Sequence, residues 1–234
     1  MVKYVGLSTL EVLEEAKNYN KWISDEIIKY VSTPVLEVGA GIGNLTSYFL
    51  IKKPLYVTDV DNDLVNKLKN KFKKNKNVFT EALDITKAPP KKYHSFFSTI
   101  FGINVLEHIN DDGQALKNMY EMLRNNGRLV FLVPAKKIAY TKLDMELGHF
   151  RRYEKKEIIK KLIENGFKVD KIYFFNLVGL FSWVVRDKIK RNEINLKPYH
   201  IKFFDKIVPI LRIIESFVKI PVGISLIVVA HKKK

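Results

Sequence analysis

Apolar residues occur along the chain in short continuous runs, separated by longer segments with helical periodicity. The short runs predict buried strands, and apolar positions every three or four residues predict amphipathic helices between them. Three strand–helix units follow one another with short connections. Right-handed crossovers therefore predict a doubly wound α/β sheet with its ligand crevice at the carboxyl ends of the strands. The predicted strands are Val35–Val38, Leu55–Thr58, Val78–Glu81, Ser95–Ile103 and Arg128–Pro134.

Helical segments precede these strands and alternate with them. Ser8 and Glu11 form a capping-box pattern that opens the first helix, and Asp111 or Asp112 is expected to cap the helix before the fifth strand. An Asn165-Gly166 pair predicts the end of the helix after that strand. The predicted helices are 8–18, 19–31, 45–51, 64–76 and 155–164, with a further helix that follows Asp111 or Asp112 and ends at Asn125-Asn126-Gly127.

The second half of the chain adds two further strand-like runs, Phe167–Phe175 and Gly223–His231, with a helical insertion over 176–221 between them. A helix is predicted over Ile201–Val218, broken or kinked near Pro209. Its apolar residues have helical spacing, which fits packing on the core or, alternatively, a membrane-surface or partner-binding face. They are Phe204, Val208, Leu211, Ile214 and Phe217.

Three glycines occupy alternate positions of the segment Gly39–Gly43, directly after the first predicted strand. Glycine lets the backbone turn sharply and lets a ligand approach without a Cβ in the way, so the loop predicts a nucleotide-like cofactor site. The dinucleotide pattern Gly-x-Gly-x-x-Gly has its last glycine where this chain has Asn44, which disfavours a nicotinamide or flavin cofactor. Asp59, at the end of the second strand, is the expected acceptor for ribose hydroxyls, with Asp61 as the alternative.

The three alternating glycines after Glu37 resemble the first motif of the class I S-adenosylmethionine-dependent methyltransferases. The resemblance runs from about Tyr19 to the end of the chain. It implies a Rossmann-like sheet of seven mostly parallel strands with an antiparallel terminal pair. It also implies S-adenosylmethionine as cofactor and S-adenosylhomocysteine as product, in a single domain over 1–234. The residues that it assigns to the cofactor are Glu37, Gly39, Ala40, Gly41, Gly43, Asp59, Val60, Asp84, Ile85, Asn104, Val105 and Leu106.

Two of these roles follow from the family pattern after the third strand. There an acid bonds the adenine amino group and the next apolar side chain packs on the ring, and Asp84 and Ile85 match these positions. The leading helices, within 1–31, often cover the cofactor in this family. Tyr19 and Trp22 are therefore candidate lid residues, with packing in the core as the alternative for Trp22.

The stretch Asn104–His108 resembles the Asn-x-Leu-Glu-His segment of methyltransferases that act on quinones, sterols and other small molecules. Enzymes that methylate the amino groups of nucleic-acid bases usually have Asn-Pro-Pro-Tyr or Asn-Leu-Pro-Tyr here, with an aromatic ring that stacks on the flipped base. This chain has Glu107 in that stretch and no tyrosine nearby. Base methylation is therefore disfavoured.

The segment Leu143–Tyr153 resembles the Leu-Asp-x-x-x-Gly-His-x-Arg-Arg-Tyr segment of a methyltransferase subgroup associated with cell-surface polysaccharide and lipid glycan pathways. It follows the fifth strand and so lies over the crevice, where functional loops are common. Its histidine can accept a proton from the acceptor, and its arginines can clamp a carboxylate or phosphate. Hydrogen bonding within the loop, or an ion pair with Asp144 or Glu107, is the structural alternative. The candidate catalytic residues are His149, Arg151, Arg152 and Tyr153.

The formal net charge of +16 is unevenly distributed, since residues 186–234 hold twelve Lys or Arg against four acids. A field of this sign attracts nucleic acid, anionic lipid or phosphorylated substrates, unless the lysines only fill solvated faces. Arg186–Arg191 form a basic patch in the insertion. The basic segment 186–219 is therefore a candidate for peripheral membrane contact.

Some classes of site are disfavoured by what the sequence lacks. There is no cysteine, which excludes disulfides and thiolate metal sites, and no His or Asp cluster has metal-ligand spacing, so no metal is expected. The first six residues have no signal-peptide core. The apolar run Ile220–Ala230 is too short to span a bilayer, so a cytoplasmic protein is expected.

The sequence thus predicts methyl transfer to an oxygen, nitrogen or carbon nucleophile of a small-molecule, lipid or glycan-type acceptor, and the basic charge suits an anionic one. Three alternatives stay open. Glu37–Thr46 also resembles the opening of ribosomal RNA adenine dimethyltransferases, which would make nucleic acid the acceptor. A non-catalytic cofactor-binding module and a nicotinamide oxidoreductase are the other two.

Overall fold

The computed structural model describes residues 7–177, 198–217 and 221–233. The predicted basic patch at Arg186–Arg191 lies outside these ranges. Within them, no helix is both long enough and apolar enough to cross a membrane.

The chain forms a seven-stranded sheet in the order β3-β2-β1-β4-β5-β7-β6. The first five strands are parallel to their neighbours, and β7 is antiparallel to both β5 and β6. This confirms the predicted doubly wound sheet with an antiparallel terminal pair. The strands are β1 (Val35–Val38), β2 (Leu55–Asp59), β3 (Val78–Ala82), β4 (Phe97–Ile103), β5 (Leu123–Pro134), β6 (Phe167–Phe175) and β7 (Ser225–Lys232).

Helices precede the sheet and alternate with its strands. Short 3₁₀ helices occupy Thr46–Phe49, Lys91–Tyr93, Leu106–His108 and Lys137–Ala139. The α-helices are α1 (Leu7–Glu14), α2 (Lys17–Ile28), α3 (Asn62–Phe72), α4 (Asp112–Met122), α5 (Lys142–Glu146), α6 (Lys155–Glu164) and α7 (Pro198–Phe217).

Three elements differ from the sequence prediction. The segment after the glycine loop, predicted as a helix over 45–51, is only the 3₁₀ helix Thr46–Phe49. Strand β5 begins at Leu123, before the predicted Arg128, because an irregularity in the β4–β5 register accommodates the extra residues. Helix α7 continues through Pro209, so of the two predicted outcomes, a break or a kink, the break is wrong.

The continuity of α7 at Pro209 has a local explanation. A proline inside a helix has no N–H to donate, so the carbonyl four residues earlier, that of Asp205, loses its helical partner. The side-chain amide of Asn18 on α2 donates to this carbonyl oxygen at 3.0 Å. The freed acceptor is therefore satisfied by a neighbouring helix.

Two apolar cores cover the two faces of the sheet. Helices α4 and α6 pack on one face through residues such as Met119 and Leu162. Helices α2, α3 and α7 cover the other face, with Trp22, Leu68 and Val208 buried against the strands. The carboxyl ends of the parallel strands stay uncovered by these layers, which leaves their loops free to form a site.

Candidate active site

The glycine loop after β1 is shaped for close approach of a ligand. Gly39 and Gly41 have φ of +63° and +59°, the left-handed region that favours glycine. A Cβ on Gly39 would lie 2.5 Å from the Cγ2 atom of Val105, and one on Gly41 would lie 2.9 Å from a methyl carbon of Leu10. A Cβ at position 39 would clash with Val105, and one at position 41 would require the Leu10 side chain to shift. The loop is therefore a backbone cradle of the kind that a nucleoside-type cofactor requires.

Asp59 ends β2 beside this loop, and its carboxylate holds the loop in place. Its Oδ2 accepts a hydrogen bond from the Gly41 N–H at 2.9 Å, and its Oδ1 accepts one from the Asp61 N–H at 3.1 Å. Burial raises the pKa of the Asp59 carboxyl, against the lowering effect of these N–H donors. Asp59 thus faces the cradle, as its predicted role requires.

Asp61, the sequence alternative for the ribose contact, has a different function in the structure. It is the N-cap residue of α3, and its Oδ1 accepts from the N–H groups of Asp63 and Leu64 at 2.8 and 3.4 Å. Capping of this type stabilises a helix start. Asp59 is therefore the better candidate for a ribose contact.

Residues that follow β2 and β3 lie near Asp59 and form a second side of the candidate cofactor site, next to the glycine loop. Val60 is 46% exposed, an uncommon state for a valine that directly follows a buried strand. The half-buried Asp84 accepts hydrogen bonds from the Thr86 N–H and hydroxyl at 3.0 and 2.6 Å. Ile85 is buried within the core, so its predicted contact with an adenine ring would use only a small part of its surface.

A third wall comes from the residues that follow β4. Asn104 has φ of +53°, an uncommon conformation for a residue other than glycine, and its N–H donates to the Leu132 carbonyl at 2.9 Å. Val105 packs against Gly39, which links this wall to the glycine loop. Leu106 is fully buried in the core. Backbone strain of this kind often marks functional sites.

The two leading helices have different positions relative to the cradle. Leu10 of α1 packs on Gly41, and the side chain of Asn44 donates to the Leu10 carbonyl at 2.8 Å. On α2, Trp22 is 3% exposed and packs on Phe175, with ring centroids 4.5 Å apart. Trp22 therefore has the packing role that the sequence left as an alternative, and Leu10, which the sequence did not single out, is the residue of the leading helices that packs on the cradle.

Tyr19 is held in the same aromatic cluster. Its ring contacts those of Trp22, Phe175 and Phe204, and its hydroxyl accepts a hydrogen bond from Asn176 at 3.2 Å. Burial raises the pKa of Tyr19 to about 12. These contacts fasten α2 to the sheet and to α7, so direct contact of Tyr19 with the cofactor stays a prediction.

The segment after β5 folds around one buried carboxylate, that of Asp144. Its Oδ2 accepts from the Thr141 N–H at 2.8 Å, and its Oδ1 accepts from His149 Nδ1 and from Arg152 Nε, each at 2.8 Å. These donors lower the pKa of Asp144 although burial opposes them. Because a carboxylate only accepts, Nδ1 is the protonated nitrogen of His149, and Nε2 points away from Asp144.

His149 and its neighbour Phe150 contact two residues of the loop after β4, His108 and Glu107. The ring of His149 lies edge-on to that of His108, with centroids 4.6 Å apart, and the Phe150 N–H donates to the Glu107 carbonyl at 2.8 Å. Glu107 is fully buried, and neither of its carboxylate oxygens has a hydrogen-bond partner. Burial raises the pKa of Glu107 to about 8. Burial also lowers the pKa of His108 to about 4, with the neighbouring His149 acting in the same direction.

The arginines and the tyrosine of the same segment have structural partners. Arg152 is 3% exposed and is bonded to Asp144 and to the Ala135 carbonyl. Tyr153 is fully buried and donates to Asp112 at 2.8 Å, and burial strongly raises the pKa of its hydroxyl. Arg151 donates to Asn110 and pairs with Asp112 at 2.9 Å.

Direct catalytic roles for Arg152 and Tyr153 are therefore not supported by their positions, because both side chains are enclosed by protein groups. Of the two arginines predicted to bind an anionic group of the acceptor, only Arg151, which is 23% exposed, is accessible enough to do so. Sequence reasoning named Asp144 and Glu107 only as partners for an arginine. Their positions next to His149 could have been suspected from the Leu-Asp and Leu-Glu-His patterns, but the distances come from the fold.

Comparison with known proteins gives one family. Residues 36–129 match the family model described as a methyltransferase domain. A curated protein, ribosomal RNA small subunit methyltransferase A of Pelagibacter ubique, is 60% identical over 40 residues, which are 16% of this chain and 15% of that protein. The match thus concerns a small part of both proteins.

Solved structures share the fold at low identity. The YcgJ protein of Bacillus subtilis is 14% identical with a TM-score of 0.62, covering 92% of this chain and 99% of that one. Phosphoethanolamine N-methyltransferase 2 of Haemonchus contortus, solved with S-adenosyl-L-methionine, is 14% identical with a TM-score of 0.61. That similarity covers 91% of this chain and 52% of the other. The present chain therefore spans about half the length of some of its structural neighbours.

Proposed function

We propose that this class I S-adenosylmethionine-dependent methyltransferase transfers its methyl group to a hydroxyl or other nucleophile of a small-molecule, lipid or glycan-type acceptor. One observation carries the proposal. The loop after β4 and the segment after β5 bring a buried carboxylate and two histidines together, and Val105 of the first loop packs on Gly39 of the glycine loop. Groups of this kind suit the activation and positioning of a polar acceptor.

The cofactor fits the residues present. The glycine cradle has no space for a Cβ at position 39, Asp59 faces the cradle, and Val60 offers exposed apolar surface beside it. We infer that these groups hold the methionine, ribose and adenine parts respectively, with Asp84 and the Asn104–Leu106 stretch as further walls. When bound, S-adenosylmethionine supplies a methyl group that its sulfonium charge already activates. Positioning can then supply much of the catalysis, up to about 7–11 kcal/mol in favourable cases.

The residues on the acceptor side act on the nucleophile. Asp144 fixes Nδ1 of His149, which leaves Nε2 as the nitrogen for the acceptor, and the partly exposed Arg151 would contact an anionic group of the acceptor. Asp112 and Asp144 hold the arginines and Tyr153, which keeps the segment in one conformation. Because the segment is fixed from both sides, His149 is pre-organised for its task.

The acceptor class is tested by transfer of a tritiated methyl group into fractionated lipid, glycan, protein and RNA pools. We expect label in the lipid or glycan fraction with the native chain. Asp59→Ala should abolish transfer, and Asp63→Ala, a change on the exposed first turn of α3, is the matched control. Label confined to RNA would overturn the acceptor class and favour the second candidate, which the short ribosomal RNA methyltransferase match supports.

We also propose that α7 contacts anionic lipid at the membrane surface. One side of α7 is fixed to the protein by Asp205 and Val208, which are 8% and 1% exposed. Large apolar side chains cover the other side, with Lys202 and Lys206 exposed beside them. An apolar row next to lysines is typical of helices that lie in a lipid interface. The exposed residues are Phe203, Ile210, Ile213, Ile214 and Phe217.

A further inference from the structure

We propose that Glu107, His108 and His149 together bind one divalent metal ion, which in turn binds the acceptor oxygen. The inference rests on the proposed function, because it names what activates the acceptor at the same site. Sequence spacing predicted no metal, since the histidines are forty-one positions apart. The fold places one possible ligand atom from each of the three residues within 4.8 Å of the other two.

The distances are close to those of a metal site. Metal bonds to histidine nitrogen and carboxylate oxygen are about 2.0–2.2 Å long, so tetrahedral ligand atoms lie about 3.5 Å apart. The observed limit of 4.8 Å needs a shift of only about 1 Å to reach that geometry. Movement of the Glu107 carboxylate, whose oxygens have no hydrogen-bond partner, would supply that shift. The three residues would occupy one side of the ion and leave positions open for the acceptor.

The carboxylate of Glu107 is an independent sign of a missing ligand. Its side chain is fully buried, and both oxygens lack a hydrogen-bond partner. Burial of an unpaired carboxylate is strongly unfavourable, so native proteins pair such groups or use them to bind metals. Nearby Arg152 contributes a positive charge, but it is bonded to Asp144, which offsets that charge. Once ionised, the Glu107 carboxyl is the unbalanced charge among these three groups, and a bound cation would neutralise it.

Both histidines are held by a second group, as metal ligands usually are. Asp144 accepts a 2.8 Å hydrogen bond from the Nδ1–H of His149, which leaves Nε2 as the nitrogen available to a metal ion. A hydrogen bond involving the Gly148 backbone orients His108 in a similar way. Carboxylate and carbonyl partners of this type fix the ring orientation and increase the affinity of the nitrogen for metal. An acceptor base alone would not need the second histidine and the unpaired carboxylate.

Two nitrogens and one carboxylate oxygen select the kind of ion. Imidazole ligands suit Zn²⁺, Fe²⁺, Co²⁺ and Ni²⁺, and Mn²⁺ accepts mixed sets, whereas Mg²⁺ and Ca²⁺ prefer oxygen. The site would therefore bind Zn²⁺ or Mn²⁺ more tightly than Mg²⁺. A hydroxyl of the acceptor can bind such an ion through its oxygen.

The transfer step balances with no further reactant. The hydroxyl oxygen of the acceptor binds the ion, which lowers its pKa, and its proton passes to solvent water. A lone pair of that oxygen forms the new bond to the methyl carbon. The carbon–sulfur bond breaks, and its electron pair stays on sulfur to give S-adenosylhomocysteine. In this scheme His149 acts as a ligand of the ion and not as the proton acceptor.

The test is calorimetric titration of the metal-stripped full chain with Zn²⁺ and, separately, with Mn²⁺. We expect one ion per chain, with binding weakened at least about 100-fold in His149→Asn and in Glu107→Gln, and about 10- to 100-fold in Asp144→Asn. His231→Asn is the matched control, since His231 also pairs with an aspartate, Asp170 at 2.8 Å, away from the cluster. This control should bind metal as the native chain does.

Binding of S-adenosylhomocysteine by each variant is measured as well, because it separates a failure of the metal site from a failure of the proposed methyltransferase function. If Glu107→Gln fails to fold, metal binding by the His149→Asn variant still tests the site. Titration with Co²⁺ is a second measurement, because its visible absorption bands report nitrogen ligands. No stoichiometric binding of Zn²⁺ or Mn²⁺, or binding equal in His149→Asn and the native chain, would overturn the metal site. Methyl transfer that persists in chelator would do the same while leaving the proposed function intact. Metal binding without any transfer would support the site and count against the function.

Discussion

At the scale of single residues, the glycine loop depends on the absence of side chains. Gly39 combines a φ of +63° with a position where a Cβ would lie 2.5 Å from Val105. A Cβ added at Gly113, at the start of α4, would have its nearest neighbour, Oδ1 of Asp111, 3.5 Å away. The two glycines therefore differ in both conformation and space, which allows a matched test of the cradle.

Gly39→Ala is expected to destabilise the chain by about 1–2 kcal/mol for the left-handed conformation alone, and more from the clash with Val105. It should also weaken binding of S-adenosylhomocysteine at least tenfold. Gly113→Ala should be neutral or stabilise α4 by up to about 1 kcal/mol. Urea unfolding and binding calorimetry measure both effects. Equal behaviour of the two variants would contradict the cradle.

Glu37, in β1, makes the free energy of unfolding depend on pH. Burial raises the pKa of its carboxyl to about 8, a neighbouring Asp59 acts in the same direction, and Thr46 opposes. In the unfolded chain the same group titrates near its ordinary value of about 4.3. Its stabilising contribution is therefore complete below the unfolded pKa and is lost as the pH rises toward 8.

Glu37→Gln removes this dependence. Between pH 5 and 8, the free energy of unfolding of the variant should rise relative to that of the native chain, by at most about 1.4 kcal/mol per pH unit. Urea unfolding of both proteins at a series of pH values, without cofactor, measures the difference. A difference that stays constant from pH 5 to 8 would mean that Glu37 is not protonated in the folded chain.

At the scale of elements, helix α7 is bound to helix α2 because a residue of α7 caps the first turn of α2. The carboxylate of Asp205 accepts hydrogen bonds from the Tyr19 N–H at 2.8 Å and the Asn18 N–H at 3.1 Å, in the first turn of α2. The first N–H groups of a helix have no partner within it. Asp205 thus supplies a partner that the sequence near α2 does not.

Asp205→Ala should destabilise the chain by about 1 kcal/mol, within the range of about 0.5–2 kcal/mol known for helix caps. Glu15→Ala is the control, because Glu15 only makes an exposed ion pair with Lys202 at 3.4 Å. Such a pair contributes about 0–1 kcal/mol. Thermal and urea unfolding measure both. A larger effect from Glu15→Ala would contradict the capping role.

The outer side of α7 is tested by flotation with vesicles that contain anionic lipid. Changing both Phe203 and Phe217 to Asp should lower binding at least about tenfold, because each ring that enters the interface contributes roughly 1–3 kcal/mol. Ile51→Asp is the control, since Ile51 is 80% exposed and distant in sequence from α7. Absence of salt-sensitive flotation by the native chain would remove the lipid proposal.

Prediction of the elements from sequence succeeded where the pattern was long. The strand Phe167–Phe175 and the helix Lys155–Glu164 have the predicted bounds. The pattern was insufficient in two places, the 45–51 segment and Pro209. There the outcome depends on contacts between elements, such as the hydrogen bond from Asn18 to the Asp205 carbonyl.

For the whole molecule, a ligand that binds only the folded chain raises its melting temperature. S-adenosylhomocysteine at 100 times its Kd should add about 2.7 kcal/mol to the free energy of unfolding. For a chain of this length that corresponds to about 5–10 °C. Differential scanning calorimetry with S-adenosylhomocysteine and with NAD compares the two cofactor classes. A shift with NAD and none with S-adenosylhomocysteine would contradict the assignment.

The sequence by itself determined the order of strands and helices, the glycine cradle and the acids that follow the strands, because these depend on local periodicity and on short motifs. It also predicted a functional role for His149. Only the tertiary structure decided that Asp61 caps α3, that Arg152 and Tyr153 are enclosed, and that Glu107, His108 and His149 meet. The two strands that carry these residues, β4 and β5, are neighbours in the sheet, so loops far apart in sequence meet at the same edge. Such proximity follows from the sheet order and not from residue spacing.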